Sequence, residues 1–234
     1  MDNFEQNQAN NSASSPGNQS TQQAGATSFA DDFKSFYKGD FKSILTLFFT
    51  SPIDGIRSIF VNLSDRAYTS ALILFVSVFS VYFAGSYIMI PEKARDYWDL
   101  DLIFFMKIGL LFVIFMLLIT IFTFGIKSGS GKPVFKTELL TGGLCGVPLG
   151  ILCIALLVLR FMGEKKVIEL VDSPVEAGTV FLVFLLYIFL MLINVVQQSL
   201  KASGTKDSLA WYGSTLVVLL SFYFTYKVVW DMLF

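Results

Sequence analysis

Few side chains in this chain are equipped for chemistry, and one type is missing altogether: the 234 residues contain no histidine. That removes the commonest metal ligand and general base, and with them Ser-His-Asp and Cys-His nucleophile systems. The two cysteines are Cys145 and Cys153. On one helix their Cα atoms would stand about 12 Å apart, beyond the roughly 7 Å that a disulfide tolerates, so they read as buried, apolar-type thiols. Lys127-Ser128-Gly129-Ser130-Gly131-Lys132-Pro133 has the glycines and lysines of a phosphate loop. That loop requires glycine where Ile126 stands and Ser or Thr where Pro133 stands, so the segment reads as a flexible interspan turn. Glu92, Asp96, Asp99 and Asp101 offer carboxylates for a cation but lack the calcium-loop pattern with its central glycine and terminal glutamate. They read as a solvated acidic loop, as do Glu164, Glu169, Asp172 and Glu176. Asn194, Gln197 and Gln198 read as marking the water boundary of a span or as bonding a neighbouring helix. No catalytic residue, cofactor or metal site is expected, and the chain reads as a non-enzyme.

The elements that carry these residues are set by composition. Hydrophobic residues make up 54% of the chain and charged ones 15%, against about 25% charged in an ordinary soluble domain. Net charge is −1, so bulk charge gives no argument for nucleic acid. Five apolar runs, 67–90, 102–126, 139–161, 178–196 and 209–229, each approach the roughly 20 residues needed to cross the hydrocarbon. The fold class expected is therefore all-α, a multi-pass transmembrane five-helix bundle preceded by two amphipathic interfacial helices. The domains are a disordered polar tail at 1–28, the interfacial helices at 29–66, and the five-span domain at 67–234.

The third span holds Gly142, Gly146 and Gly150, four residues apart, with Pro148 between the last two. On a helix the glycines form one side-chain-free groove, and close backbone approach over small residues is how spanning helices pack. These four are the expected helix-packing residues. No span carries an ionisable residue near its centre, which argues against a proton relay. Lys107 and Lys227 sit near span ends, from which they can snorkel to the interface.

Ahead of the spans, residues 1–28 are mostly Asn, Gln, Ser, Thr, Ala and Gly, and such a segment cannot bury enough apolar surface to offset its ordering entropy. Phe33, Phe36, Tyr37, Phe41, Ile44, Leu45 and Phe48 then recur at helical spacing, edged by Lys34, Lys38 and Lys42. An aromatic face with flanking lysines suits a helix in the headgroup layer, which makes Phe33, Phe36, Phe41 and the three lysines the expected membrane-surface residues. The same face equally suits packing on the protein's own bundle. Ser51-Pro52-Ile53-Asp54 reads as a new helix start, with Ser51 as N-cap and Asp54 in the first turn. Its apolar face continues through Ile56, Ile59, Phe60 and Leu63.

Lys34, Lys38, Lys42, Arg57 and Arg66 precede the first span, Lys127, Lys132 and Lys136 follow the second, and Lys201 and Lys206 follow the fourth. The opposite loops hold Lys93 and Arg95, then Arg160, Lys165 and Lys166. The rule that basic loops stay inside favours a cytoplasmic N-terminus and a C-terminus on the far side.

The order of parts resembles the Yip1-domain family of five-span membrane proteins. Leu47-Phe48-Phe49-Thr50-Ser51-Pro52-Ile53-Asp54-Gly55-Ile56 is similar to the proline-containing amphipathic stretch ahead of the first span in bacterial members. The Gly- and Pro-bearing third span also fits, and the resemblance covers about Phe33 to Phe234. The Asp-Leu-Tyr-Gly-Pro motif of the eukaryotic branch has no match here, so the GTPase binding of that branch is not carried over. Lysine's excess over arginine and the Asn/Gln-rich tail suit a bacterium with an AT-rich genome. A bacterial cytoplasmic membrane is expected, with an ER or Golgi membrane as the alternative.

The functional expectation is a membrane scaffold or adaptor, non-catalytic, that binds partners through its N-terminal helices and the Gly-lined third span. Its partners would be the lipid bilayer and another membrane protein or a cytoplasmic protein, with homo-oligomers also compatible. The alternative is a small transporter or channel component with a pathway at the kinked third span.

Overall fold

A computed structural model describes residues 29–130, 133–162 and 174–233; no strand occurs among them. The expected tail at 1–28, the Gly131-Lys132 pair and the acids and lysines between 163 and 173 lie outside the described residues. The helices are α1 (Phe29–Ser35), α2 (Phe41–Thr50), α3 (Asp54–Asn62), α4 (Ala67–Met89), α5 (Glu92–Tyr97), α6 (Leu102–Ser130), α7 (Phe135–Met162), α8 (Pro174–Ala202) and α9 (Asp207–Leu233), with a π-helical turn at Phe36–Asp40 joining α1 to α2.

Five of these helices are long and apolar enough to cross a membrane: Ala67–Met89, Leu102–Gly129, Phe135–Met162, Gly178–Ala202 and Asp207–Trp230. At about 1.5 Å per residue, even α4, with 23 residues, exceeds the roughly 30 Å hydrocarbon thickness. The chain is a multi-pass membrane protein. The helices outrun the apolar stretches that announce them. α6 continues through Lys127 to Ser130, α7 begins ahead of Glu138, and α8 continues past Gln197 and Gln198. A backbone leaving the bilayer keeps its internal hydrogen bonds until water can replace them. Residues 127–130 are therefore helix, where the sequence suggested a flexible turn.

α4, α6 and α7 pack on one another at the centre, α8 lies against α7, and α9 covers α6 and α8. The starts of α4, α7 and α9 and the ends of α6 and α8 thus share one end of the bundle. The short N-terminal helices dock at that same end, α3 against α8.

The aromatic face of the N-terminal region is covered by protein. Phe36, Ile44 and Phe48 are buried together with Ile56, Ile59 and Phe60 of α3, and Phe33 and Phe41 are half-buried against the same core. Phe33, Phe36, Tyr37 and Phe41 form a ring cluster, with centroids 4.8 to 6.2 Å apart, and the Tyr37 hydroxyl hydrogen-bonds that of Ser77 on α4. Of the two placements the pattern allowed, packing on the bundle is the one seen for Phe36, and Phe33 and Phe41 lie partly against the same core. Lys34, Lys38 and Lys42 stay exposed on the outer side.

The start of α3 also differs from the sequence reading. Its first helical residue is Asp54, the preceding Ile53 supplies no side-chain cap, and Ser51 acts through its backbone, its carbonyl accepting from Gly55 N at 2.8 Å. A Cβ on Gly55 would lie 2.8 Å from the Leu47 carbonyl oxygen. The tight α2–α3 corner therefore requires glycine at that position, and a corner closed by backbone bonds has no use for a serine side-chain cap.

Candidate functional site

From Glu138 to Leu149 every residue of α7 is buried. Three glycines permit this. A Cβ on Gly142 would lie 2.5 Å from the Met116 carbonyl oxygen and collide with the Thr120 hydroxyl; one on Gly146 would meet Val78 Cγ2 at 2.6 Å and Met116 Cε at 3.0 Å. Gly143 meets Ala71 Cα at 3.1 Å. Gly142 and Gly146 thus seat α7 on α6 and α4, and Gly143, which the four-residue spacing omits, brings its backbone onto α4. Gly150 has nothing within 4 Å of its Cβ position and does not belong to this contact face. Continuous burial stops at Leu149, one residue after Pro148. Four residues of α-helix turn about 400°, so Gly150 stands about 80° round the helix from Gly142 and off the contact face. The Tyr82 hydroxyl of α4 donates to the Leu149 carbonyl at 2.8 Å and pins α7 at this point.

At the end of the bundle nearest the N-terminal helices, three spans bring charge and hydroxyl groups together. Lys127 near the end of α6 and Glu138 near the start of α7 are 2% and 1% exposed, and Lys127 Nζ lies 2.7 Å from Glu138 Oε1. The same ammonium donates to Ser199 Oγ of α8 at 2.9 Å. Ser199 Oγ is 2.5 Å from Thr141 Oγ1, which in turn reaches the Thr137 carbonyl at 3.1 Å. A hydroxyl has one proton to give, so the donors run in one direction: Lys127 to Ser199, Ser199 to Thr141, Thr141 to Thr137. Glu138 Oε2 and Thr123 Oγ1 are buried without a hydrogen-bond partner. Lys127, expected among the loop lysines that follow the second span, is an interior residue that with Glu138 ties α6, α7 and α8.

The neighbouring turn of α8 extends the tie to the N-terminal helices. Gln198 is buried and donates from Nε2 to Asn194 Oδ1 at 3.2 Å, while Asn194 Nδ2 donates to the Pro52 carbonyl at 2.7 Å. Asn194 thus bonds the corner between α2 and α3, and Gln198 supports it from the next turn of the same helix. The signal for the whole cluster was present in the pattern: Thr120, Thr123 and Lys127 recur at three and four residues along α6, and Glu138 and Thr141 at three along α7. Those spacings set one polar stripe on each of two apolar helices.

The remaining candidates stay apart. Glu92, Asp96, Asp99 and Asp101 lie in or beside α5, where Asp101 Oδ1 accepts from Phe104 N at 2.8 Å and so caps α6. Among the described residues no group of three acidic or cysteine side chains is arranged to hold a metal ion. Cys145 and Cys153 are buried free thiols, and a Cβ on Gly85 would lie 2.8 Å from Cys153 Sγ, so that glycine makes room for the sulfur. Comparison with known proteins supplies no relative: no family model, no curated protein and no solved structure matches the chain.

Proposed function

We propose that this protein is a non-catalytic membrane scaffold or adaptor that offers its N-terminal helices to a protein partner on the cytoplasmic side, in line with its resemblance to Yip1-domain proteins. The observation that carries the reading is the two-sided character of the N-terminal region. One face is locked into the bundle through Phe36, Ile44, Phe48, Ile56 and Phe60, while Lys34, Lys38 and Lys42 point away from it. A platform held rigidly in this way keeps its outward charges in fixed positions, which favours recognition of an acidic surface. The Gly-lined part of the third span is used up in contacts with α4 and α6, so the partner-binding role falls to the platform. The orientation rests on the basic residues at this end: Lys34, Lys38, Lys42, Arg57, Arg66, Lys136, Lys201 and Lys206. Lys127, buried against Glu138, does not count toward it.

The test is a photo-crosslinking residue at Lys38, with one at lipid-exposed Leu219 as reference, in native membranes of the host. A discrete protein adduct from position 38 that disappears with Lys34→Glu and Lys42→Glu supports the scaffold. Adducts to lipid alone at both positions count against it. A second reading, the small transporter or channel component, draws on the Lys127–Glu138 pair, because ionisable groups inside spans commonly mark solute paths. Saturable, protein-dependent uptake into liposomes that is lost in Glu138→Gln would decide for it.

A further inference from the structure

Beyond Pro148 the spans part on one side and leave an open-sided cleft of about 460 Å³, walled by α6, α7, α8 and α9. Phe112, Leu152, Leu185, Phe189, Leu192 and Phe222 form much of its lining, and every residue around it is apolar. We propose that this cleft is a binding site for one acyl chain of a bilayer lipid.

Four observations point to that occupant. The cleft lies within the membrane-crossing parts of all four helices, so the medium at its open side is hydrocarbon. Its α8 wall runs from Leu182 to Leu192; ten residues of helix rise about 15 Å, half of the roughly 30 Å hydrocarbon and hence the depth of one leaflet. Water is a poor occupant, since an ordered water needs two to four polar partners and the walls offer none. A helix from a second copy, a cylinder about 10 Å wide, would seat in this open-sided cleft only in part. A single extended chain meets the shape, the depth and the chemistry together.

The full-length chain, reconstituted in dioleoylphosphatidylcholine vesicles and extracted in a mild detergent, tests this by native mass spectrometry. The parent and Leu219→Trp, a change at an exposed α9 position outside the cleft lining, should each retain one phospholipid. Leu152→Trp, which puts an indole into the cleft, should lower that retention at least fivefold. Equal retention in Leu152→Trp and Leu219→Trp, or no retained lipid on the parent, overturns the proposal. If Leu152→Trp does not fold, a Phe189→Trp reporter in a chain carrying Trp98→Phe, Trp211→Phe and Trp230→Phe takes its place, in vesicles of chain-brominated phosphatidylcholine. Quenching as deep as that of a Leu219→Trp reporter supports the acyl chain. A Phe189→Trp emission shielded from bromine overturns it, whether a second copy or the protein itself covers the wall.

Discussion

Along α7, Glu138 to Leu149 are buried side by side, whereas from Gly150 onward Cys153 is the one buried position on the helix. α8 mirrors this change: Met191 to Leu200 are mostly buried, while Val180, Leu182, Val183 and Leu186 face outward. Along α7 and α8, one half is therefore closed and the other is open, while α4 stays packed on both α6 and α7 through Gly109 and Gly85. The closed half holds Gly142, Gly143, Gly146 and the Lys127–Glu138–Ser199–Thr141 cluster; the open half is lined by leucine and phenylalanine. The contrast shows what holds helices together in lipid. Apolar side chains gain little by leaving one hydrocarbon for another, so close approach needs small residues or polar partners to drive it. Where α7 and α8 supply such residues they meet; where they supply neither, they part.

The sharpest way to break this comparison is to remove one member of the ion pair. Lys127→Met or Glu138→Leu leaves a lone charge in a site that is 2% or 1% exposed, and breaking a buried pair costs about 3–5 kcal/mol. The joint change Lys127→Met with Glu138→Leu removes both charges and is expected to recover most of that loss. Unfolding by SDS in mixed micelles, followed by far-UV ellipticity, measures all three variants. If the single changes leave stability unaltered, the polar cluster is not what closes this half.

The next largest effect separates glycines of the same spacing. Gly142→Leu and Gly146→Leu force a side chain onto Met116 and Val78, and overpacking of this kind costs about 1–3 kcal/mol or more. Gly150→Leu, with open space at its Cβ position, is expected to stay within about 0.5 kcal/mol of the parent. Equal losses at positions 146 and 150 would mean that the two halves pack alike.

That division marks the limit of what the sequence conveys. Five spans were legible because length and apolarity are read directly against the thickness of a bilayer. The groove at Gly142 and Gly146 was legible because four-residue spacing sets a helix face. Gly150 shares the spacing, but with about 3.6 residues per turn a four-residue period drifts progressively off one face. The polar cluster was hidden for a different reason. Lys127 and Glu138 stand close to Lys132 and Lys136, and in one dimension a charge between two apolar runs resembles a loop charge. The docking of Phe36 was half legible: periodicity identifies an apolar face, but not whether lipid or protein covers it.

Tyr82 stands at the boundary between the halves and gives a smaller effect. Tyr82→Phe keeps the ring, which stacks on Phe112 with centroids 3.4 Å apart, and deletes the bond to the Leu149 carbonyl. The expected cost is about 1 kcal/mol. Accelerated amide exchange confined to the turn after Pro148 would show that the hydroxyl holds the end of the closed half. A loss spread over α4 as a whole would assign it to the ring contact.

Two valines of α8 provide the finest comparison, because residue type and helix are held constant. Val195 is 0% exposed and Val183 is outward-facing. In water both truncations would lose hydrophobic transfer energy, but in a bilayer that contribution largely vanishes and what remains is packing. Val195→Ala leaves a gap that neighbouring helices must close, and about 1–2 kcal/mol is expected from the cavity contribution. Val183→Ala exchanges protein methyls for lipid methylenes that flow into the space, so a change within about 0.5 kcal/mol is expected. Both are measured by the same SDS titration, in parallel with the parent. Equal costs at the two positions would place Val183 against protein, and the open half would then be closed in the membrane.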